Sequence, residues 1–129
     1  MAVGLSANTA NGWLDALCRN VSFAAAAFWV RLHSGDPGAD GTANNFGDGT
    51  RQQASFAAAS GGSISTNAAL TWSNLSAGGT ISHLSFWTAS SAGTFLGSAQ
   101  LTNAKTVDAG DTFTIPSGSG TISVSPLAA

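Results

Sequence analysis

Residues 28–33 read FWVRLH, and their alternation constrains the fold more than any other stretch of the chain. A period of two places Phe28, Val30 and Leu32 on one side of a strand and Trp29, Arg31 and His33 on the other. One side is a core face, and the other mixes aromatic and polar character. The strand ends abruptly, because Ser34, Gly35, Asp36, Pro37, Gly38, Ala39, Asp40 and Gly41 combine a missing amide donor with glycines that tolerate positive φ. A long loop over about 34–50 follows, with Phe46 as its only large apolar residue and thus its expected anchor.

Other strands are legible in short apolar pairs separated by turn chemistry. Ala54 and Phe56 mark one, Leu70 and Trp72 a second, and residues 81–87 a third. In the third, Leu84 and Phe86 share one face, while Ile81, His83, Ser85 and Trp87 share the other. Further strands centre on 95–101, 113–115 and 122–124, while Gly61, Gly62 and Ser63 read as a turn. Spacings near a dozen residues predict a mainly β chain: a single-domain antiparallel β-sandwich or jelly-roll-like barrel over 1–129. One short N-terminal helix is predicted over about 9–19, capped by Asn8 or Thr9 and stopped by Asn20. Its apolar residues Trp13, Leu14, Leu17 and Cys18 fall on one face, which predicts that the helix packs on the sheet or covers one end of it, with Trp13 in the core and Cys18 as a small apolar residue.

Composition excludes several functions. More than half of the 129 residues are Ala, Ser, Thr or Gly, only 8% are charged, and all six acids are Asp. Arg19, Arg31, Arg51 and Lys105 are scattered, so no nucleic-acid-tracking surface is expected. The single Cys18 excludes an internal disulfide and a multi-Cys metal centre. The longest apolar run, 23–30, is too short for a helical membrane span, and the N-terminus lacks a basic region followed by an apolar core. The expected product is made in the cytoplasm and soluble, with no membrane partner. Small side chains lose little entropy when covered, so such a surface favours assembly with neighbouring subunits.

No motif points to chemistry. His33 and His83 are the only histidines; neither stands in a nucleophile elbow or a metalloprotease motif, and the absence of Glu removes the most adaptable general acid. No catalytic residue, cofactor or metal is expected. Asp36, Asp40 and Asp48 offer oxygens on the long loop, but their spacing departs from the EF-hand pattern and Asp has backbone roles in turns. Trp29 and Trp87, opposite the core residues, are the rings available for an interface or for stacking on sugar. The candidate interaction surface is therefore Trp29, Arg31, His33, Asp36, Asp40, Phe46 and Trp87. Residues 36–46 are expected to order against a neighbour, so that their deletion weakens particle association and leaves the domain folded.

The phrases LHSGDPGADGTAN at 32–44, RQQASFAAASGG at 51–62, ISHLSFW at 81–87, TFLGSAQLT at 94–102 and VDAGDTFTIPSGSGTISV at 107–124 extend over nearly the whole chain. As a set they resemble a family of small virion proteins encoded by tailed phages of actinobacteria. Its members are minor tail, tail fibre or head decoration proteins. The resemblance implies a structural role in the virion, first as an accessory capsid protein that binds and stabilises the assembled head, with a homotrimer and the major capsid protein or other virion proteins as partners. The alternative it implies is a minor tail or tail fibre subunit that contacts the host surface, with glycan as a ligand.

Overall fold

The computed structural model describes residues 3–123. One helix and eight strands follow one another: α1 (Ala7–Arg19), β1 (Trp29–His33), β2 (Arg51–Gln53), β3 (Ser63–Ser65), β4 (Leu70–Trp72), β5 (Gly79–Trp87), β6 (Phe95–Val107), β7 (Phe113–Ile115) and β8 (Thr121–Ser123). A four-stranded sheet in the order β2-β1-β5-β6 is accompanied by two ribbons, β3-β8 and β4-β7, and every pairing is antiparallel. This is the mainly β, sandwich-like architecture that the alternation predicts, and its described strands do not close into a barrel. The strand β3 arises where a turn alone was expected, because Ser63, Ile64 and Ser65 find partners in Ser123, Ile122 and Thr121. Of the expected strand at 122–124, Val124 lies outside the described residues.

The core forms between the four-stranded sheet and the β4-β7 ribbon. Val30 and Leu32 of β1 stand opposite Phe86 and Leu84 of β5 in register, and Leu70, Trp72 and Phe113 join the same buried cluster. Both ribbon strands show the half-buried alternation, with Thr71 and Thr114 paired on the solvent side. Trp72 buries its ring and still satisfies its indole, which donates to the Thr50 carbonyl at 3.0 Å. Phe46 also lies in this cluster, at 7% exposure.

Ile81 does not face the side shared by His83, Ser85 and Trp87. It is fully buried in the core beside Leu84. The ladder explains this: Ile81 pairs with Lys105 but His83 with Gln100, so the register is broken between them and the strand changes phase. A parity count carried through a bulge assigns the wrong face.

Helix α1 starts two residues earlier than expected. Ser6 is its N-cap: the Ser6 hydroxyl accepts from the Thr9 amide at 3.2 Å, and its backbone amide donates to the Leu96 carbonyl at 2.9 Å. Asn20 ends the helix in the left-handed conformation, as its sequence position suggests. The chain before the helix is held by β6, where Ser98 N donates to Gly4 O at 2.7 Å. Gly97 permits that approach, since a Cβ there would come within 2.7 Å of the same Gly4 oxygen.

Two expectations about the helix fail. None of its residues is buried, Trp13 is 49% and Leu17 81% exposed, and Cys18 is exposed. The helix is attached by the backbone of residues 4–6 and not by its apolar side. Amphipathic spacing identified a stripe correctly, but the described chain leaves much of it exposed.

The core assignment predicts the cost of opening it. Trp72→Ala should lower the free energy of unfolding by about 3–5 kcal/mol in urea titration with an unchanged m-value.

Candidate functional site

The outer face of the four-stranded sheet, opposite the core, carries Trp29, Arg31 and His33 from β1, Ser85 and Trp87 from β5, and Arg51 from β2. It is not open to a partner over most of this area, because the chain's own loop at 34–50 folds across it. His33 and Ser85 have no exposure and Trp87 only 7%. Pro37 is fully buried, and Gly41 sits against Phe95 and Trp87 so closely that a Cβ would meet them at 2.5 and 2.9 Å.

A chain of hydrogen bonds ties this roof to the sheet. Trp87 Nε1 donates to Ser85 Oγ at 2.7 Å, Ser85 Oγ lies 2.7 Å from His33 Nε2, and His33 Nδ1 lies 2.9 Å from the Ala43 carbonyl. A carbonyl only accepts, so Nδ1 carries the imidazole proton, and Nε2 accepts a hydrogen bond that the Ser85 hydroxyl donates. Each polar group in the row is thereby satisfied without water. Burial pushes the His33 pKa down, with positive charge on Arg31 and His83 acting in the same direction, and outweighs the opposing hydrogen bonds to Ala43 and Asn44.

The serine–histidine distance would suit a nucleophile and its base. Both groups are sealed from solvent, however, and the remaining imidazole nitrogen faces a main-chain carbonyl and not an orienting carboxylate. The arrangement therefore holds a loop in place. Its return path is anchored by Ser34 N to Asn44 O at 2.9 Å and Phe46 N to Leu32 O at 3.2 Å, which bring Phe46 into the core.

The loop aspartates serve the same local purpose. Asp36 Oδ1 accepts from Gly38 N at 2.8 Å; Asp40 Oδ1 accepts from the Thr42 amide and hydroxyl at 3.1 and 2.7 Å; Asp48 Oδ1 takes the Thr50 amide and hydroxyl at 3.0 and 2.7 Å. Asp-Gly-Thr thus recurs as a turn staple at 40–42 and 48–50. The threonine hydrogen bonds hold the Asp40 and Asp48 carboxyls below the usual carboxylate range. Among the described residues no three His, Cys, Asp or Glu side chains converge as metal ligands.

Arg51 closes the other end of the roof. Its guanidinium lies 4.2 Å above the Trp87 ring and donates to the carbonyls of Ala89 and Ala92 at 2.7 and 2.8 Å, clamping the connection between β5 and β6. Of the residues expected to form an interaction surface, His33, Trp87 and Phe46 are thus interior, and Trp29, Arg31 and Asp36 are half-buried. Asp40 is exposed. The sequence reading missed Ser85 and Arg51; Ser85 stood on the correct face between His83 and Trp87, but nothing local tied it to His33.

Only small or open concavities remain. A cavity of about 50 Å³ lies among Leu32, Phe46, Asp48 and Trp72, too small for a sugar ring. No helix among the described residues is long and apolar enough to cross a membrane.

Residues 4–123 match the family described as Podophage GP4 fiber I protein gp80. The chain belongs to this family of phage fibre proteins. No curated protein matches it. The family match agrees with the likeness of the loop and strand phrases to phage virion structural proteins, and it specifies a fibre where that likeness also took in minor tail and head decoration proteins. The family is structural, not enzymatic in description.

Three outcomes follow from the roof. Because neutral His33 is favoured in the fold, the unfolded chain binds a proton first as pH falls; stability is fully present above the usual imidazole range and declines as pH drops through it. Thermal midpoints measured from neutral pH to about pH 5 should fall, and His33→Phe should show a shallower slope on a lower starting value. Separately, Gly41 has φ +76°, so Gly41→Ala should destabilise by more than about 1 kcal/mol in urea titration. Deleting 36–46 should unfold the domain, contrary to the expectation of a dispensable contact loop, since it removes Phe46 from the core and uncovers His33 and Trp87.

Proposed function

We propose that this chain is a subunit of a fibre on a tailed-phage virion, attached to the tail and acting as a structural module. The observation that carries this reading is the family match over 4–123, which is to a fibre protein. The fold supports it through chemistry as well as by exclusion. Its turns are stapled locally, its outer sheet face is closed by its own loop, and its surface is rich in small uncharged residues that a neighbouring virion protein covers at little entropic cost.

Its partners in this reading are other virion proteins and copies of itself, and it works without cofactor. Nucleic acid is not a partner in this reading, because the four basic residues are dispersed and one of them, Arg51, is engaged over the Trp87 ring. Glycan binding through Trp87 is disfavoured by geometry: Gly41 lies on one part of its ring and Arg51 on another, so no sugar can stack there. Trp29 is only half-buried and remains available at the edge of the roof.

Accessory binding to the capsid, the role that the likeness to decoration proteins suggests, makes a different prediction about place and number. Gold-labelled antibody and absolute peptide quantification on purified virions should place the protein on the tail at a small multiple of the tail symmetry. Hundreds of copies spread over the head would overturn the fibre reading.

A further inference from the structure

Seven of the eight large apolar side chains that stand exposed among the described residues lie within 3–23: Val3, Leu5, Trp13, Leu14, Leu17, Val21 and Phe23. At exposures from 36% to 81% they present on the order of 600 Å² of apolar surface in total, of which Leu5 and Phe23 belong to the groove beside β6, against the roughly 800 Å² that each partner gives to an interface of standard size. A monomer rarely leaves such a patch in water. The helix itself points the same way. Thirteen residues with an internal glycine form a marginal helix in isolation, and α1 has no fully buried residue within its own chain to stabilise it.

The same molecule carries a concave counterpart. The sandwich is open on one side, where an apolar groove of about 640 Å³ runs between β6, the ribbons and the segments flanking α1, lined by Leu5, Phe23, Phe28, Phe86, Ile115 and Ile122. Ile122, at 42% exposure, is the eighth exposed large apolar residue. Neither surface holds a competing charge: the one ion pair of α1, Arg19 to Asp15 at 3.1 Å, is exposed, and the groove lining has no Lys, Arg, Asp or Glu.

We propose that the Trp13, Leu14 and Leu17 stripe of α1 seats in the apolar groove of a second copy of this chain. Pairing helix with helix would leave the groove uncovered, whereas helix in groove covers both unmatched surfaces in one contact. Such a contact joins two different patches and is heterologous, so it propagates into a ring where the rotation between copies closes and into an open filament where it does not. It is independent of whether the chain sits on tail or head.

The test uses the full chain in light scattering coupled to gel filtration. The unaltered chain should run at an integral multiple of the monomer mass. Leu17→Asp removes the helix side and Ile122→Asp the groove side, both at exposed positions, and thermal melts establish that each variant stays folded. Each alone should raise the half-association concentration at least about ten-fold. Mixed together, the two variants should form a one-to-one pair, since each retains the half that the other lacks. Failure of the mixture to pair, while each variant is folded, overturns the helix-in-groove contact. A wild-type chain that is monomeric at all concentrations overturns the second copy as occupant; rapid maleimide labelling of Cys18 then identifies an uncovered stripe, and slow labelling a stripe covered by the chain itself.

Discussion

The hydroxyl of Ser85 is the point on which the outer half of this molecule depends. It accepts from the Trp87 indole and donates a hydrogen bond to His33, whose other nitrogen donates to the Ala43 carbonyl. Burying three polar groups on a sheet face costs several kcal/mol unless each finds a partner, and here the row is complete. With it in place, the loop can lie flat over the strands, Phe46 can reach the core, and the Asp-Gly-Thr staples can fix the turns on either side. Removing any link leaves a buried group unpaired, which is more costly than never having had the bond.

The two faces of the four-stranded sheet are therefore closed in different ways. The inner face is closed by apolar side chains meeting across the sandwich, through Val30, Leu32, Leu84 and the ribbon residues Leu70, Trp72 and Phe113. The outer face is closed by hydrogen bonds and by one cation over a ring, with the loop backbone as cover. What stays open is the N-terminal helix and the groove beside β6, and these are apolar. Among the described residues, these are the large apolar surfaces that the fold leaves uncovered.

Much of the architecture was legible in the residues. Alternation placed β1, β4, β5 and β7 closely, because a strand with one buried face must repeat every second residue. Asn20 signalled the helix end, and Pro37 with its flanking glycines signalled the end of β1. The candidate site was legible only in part: Trp29, Arg31 and His33 were set on the face opposite the core, as they are, but that face was taken as open. Helix spacing grouped Trp13, Leu14 and Leu17 correctly and then assigned them to a core they do not enter.

The sequence by itself determined where β1, β4, β5 and β7 run, where the chain turns between them and that the sheet has two unlike faces, since these follow from local backbone preferences and a period of two. Tertiary structure alone decided what covers each face. Ile81 entered the core through a break in pairing between β5 and β6, and His33 was sealed by a serine 52 residues away and a loop carbonyl that no local pattern links to it. Periodicity reports that a surface differs from its opposite; its burial depends on contacts between segments distant in the chain, and those exist only once the chain has folded.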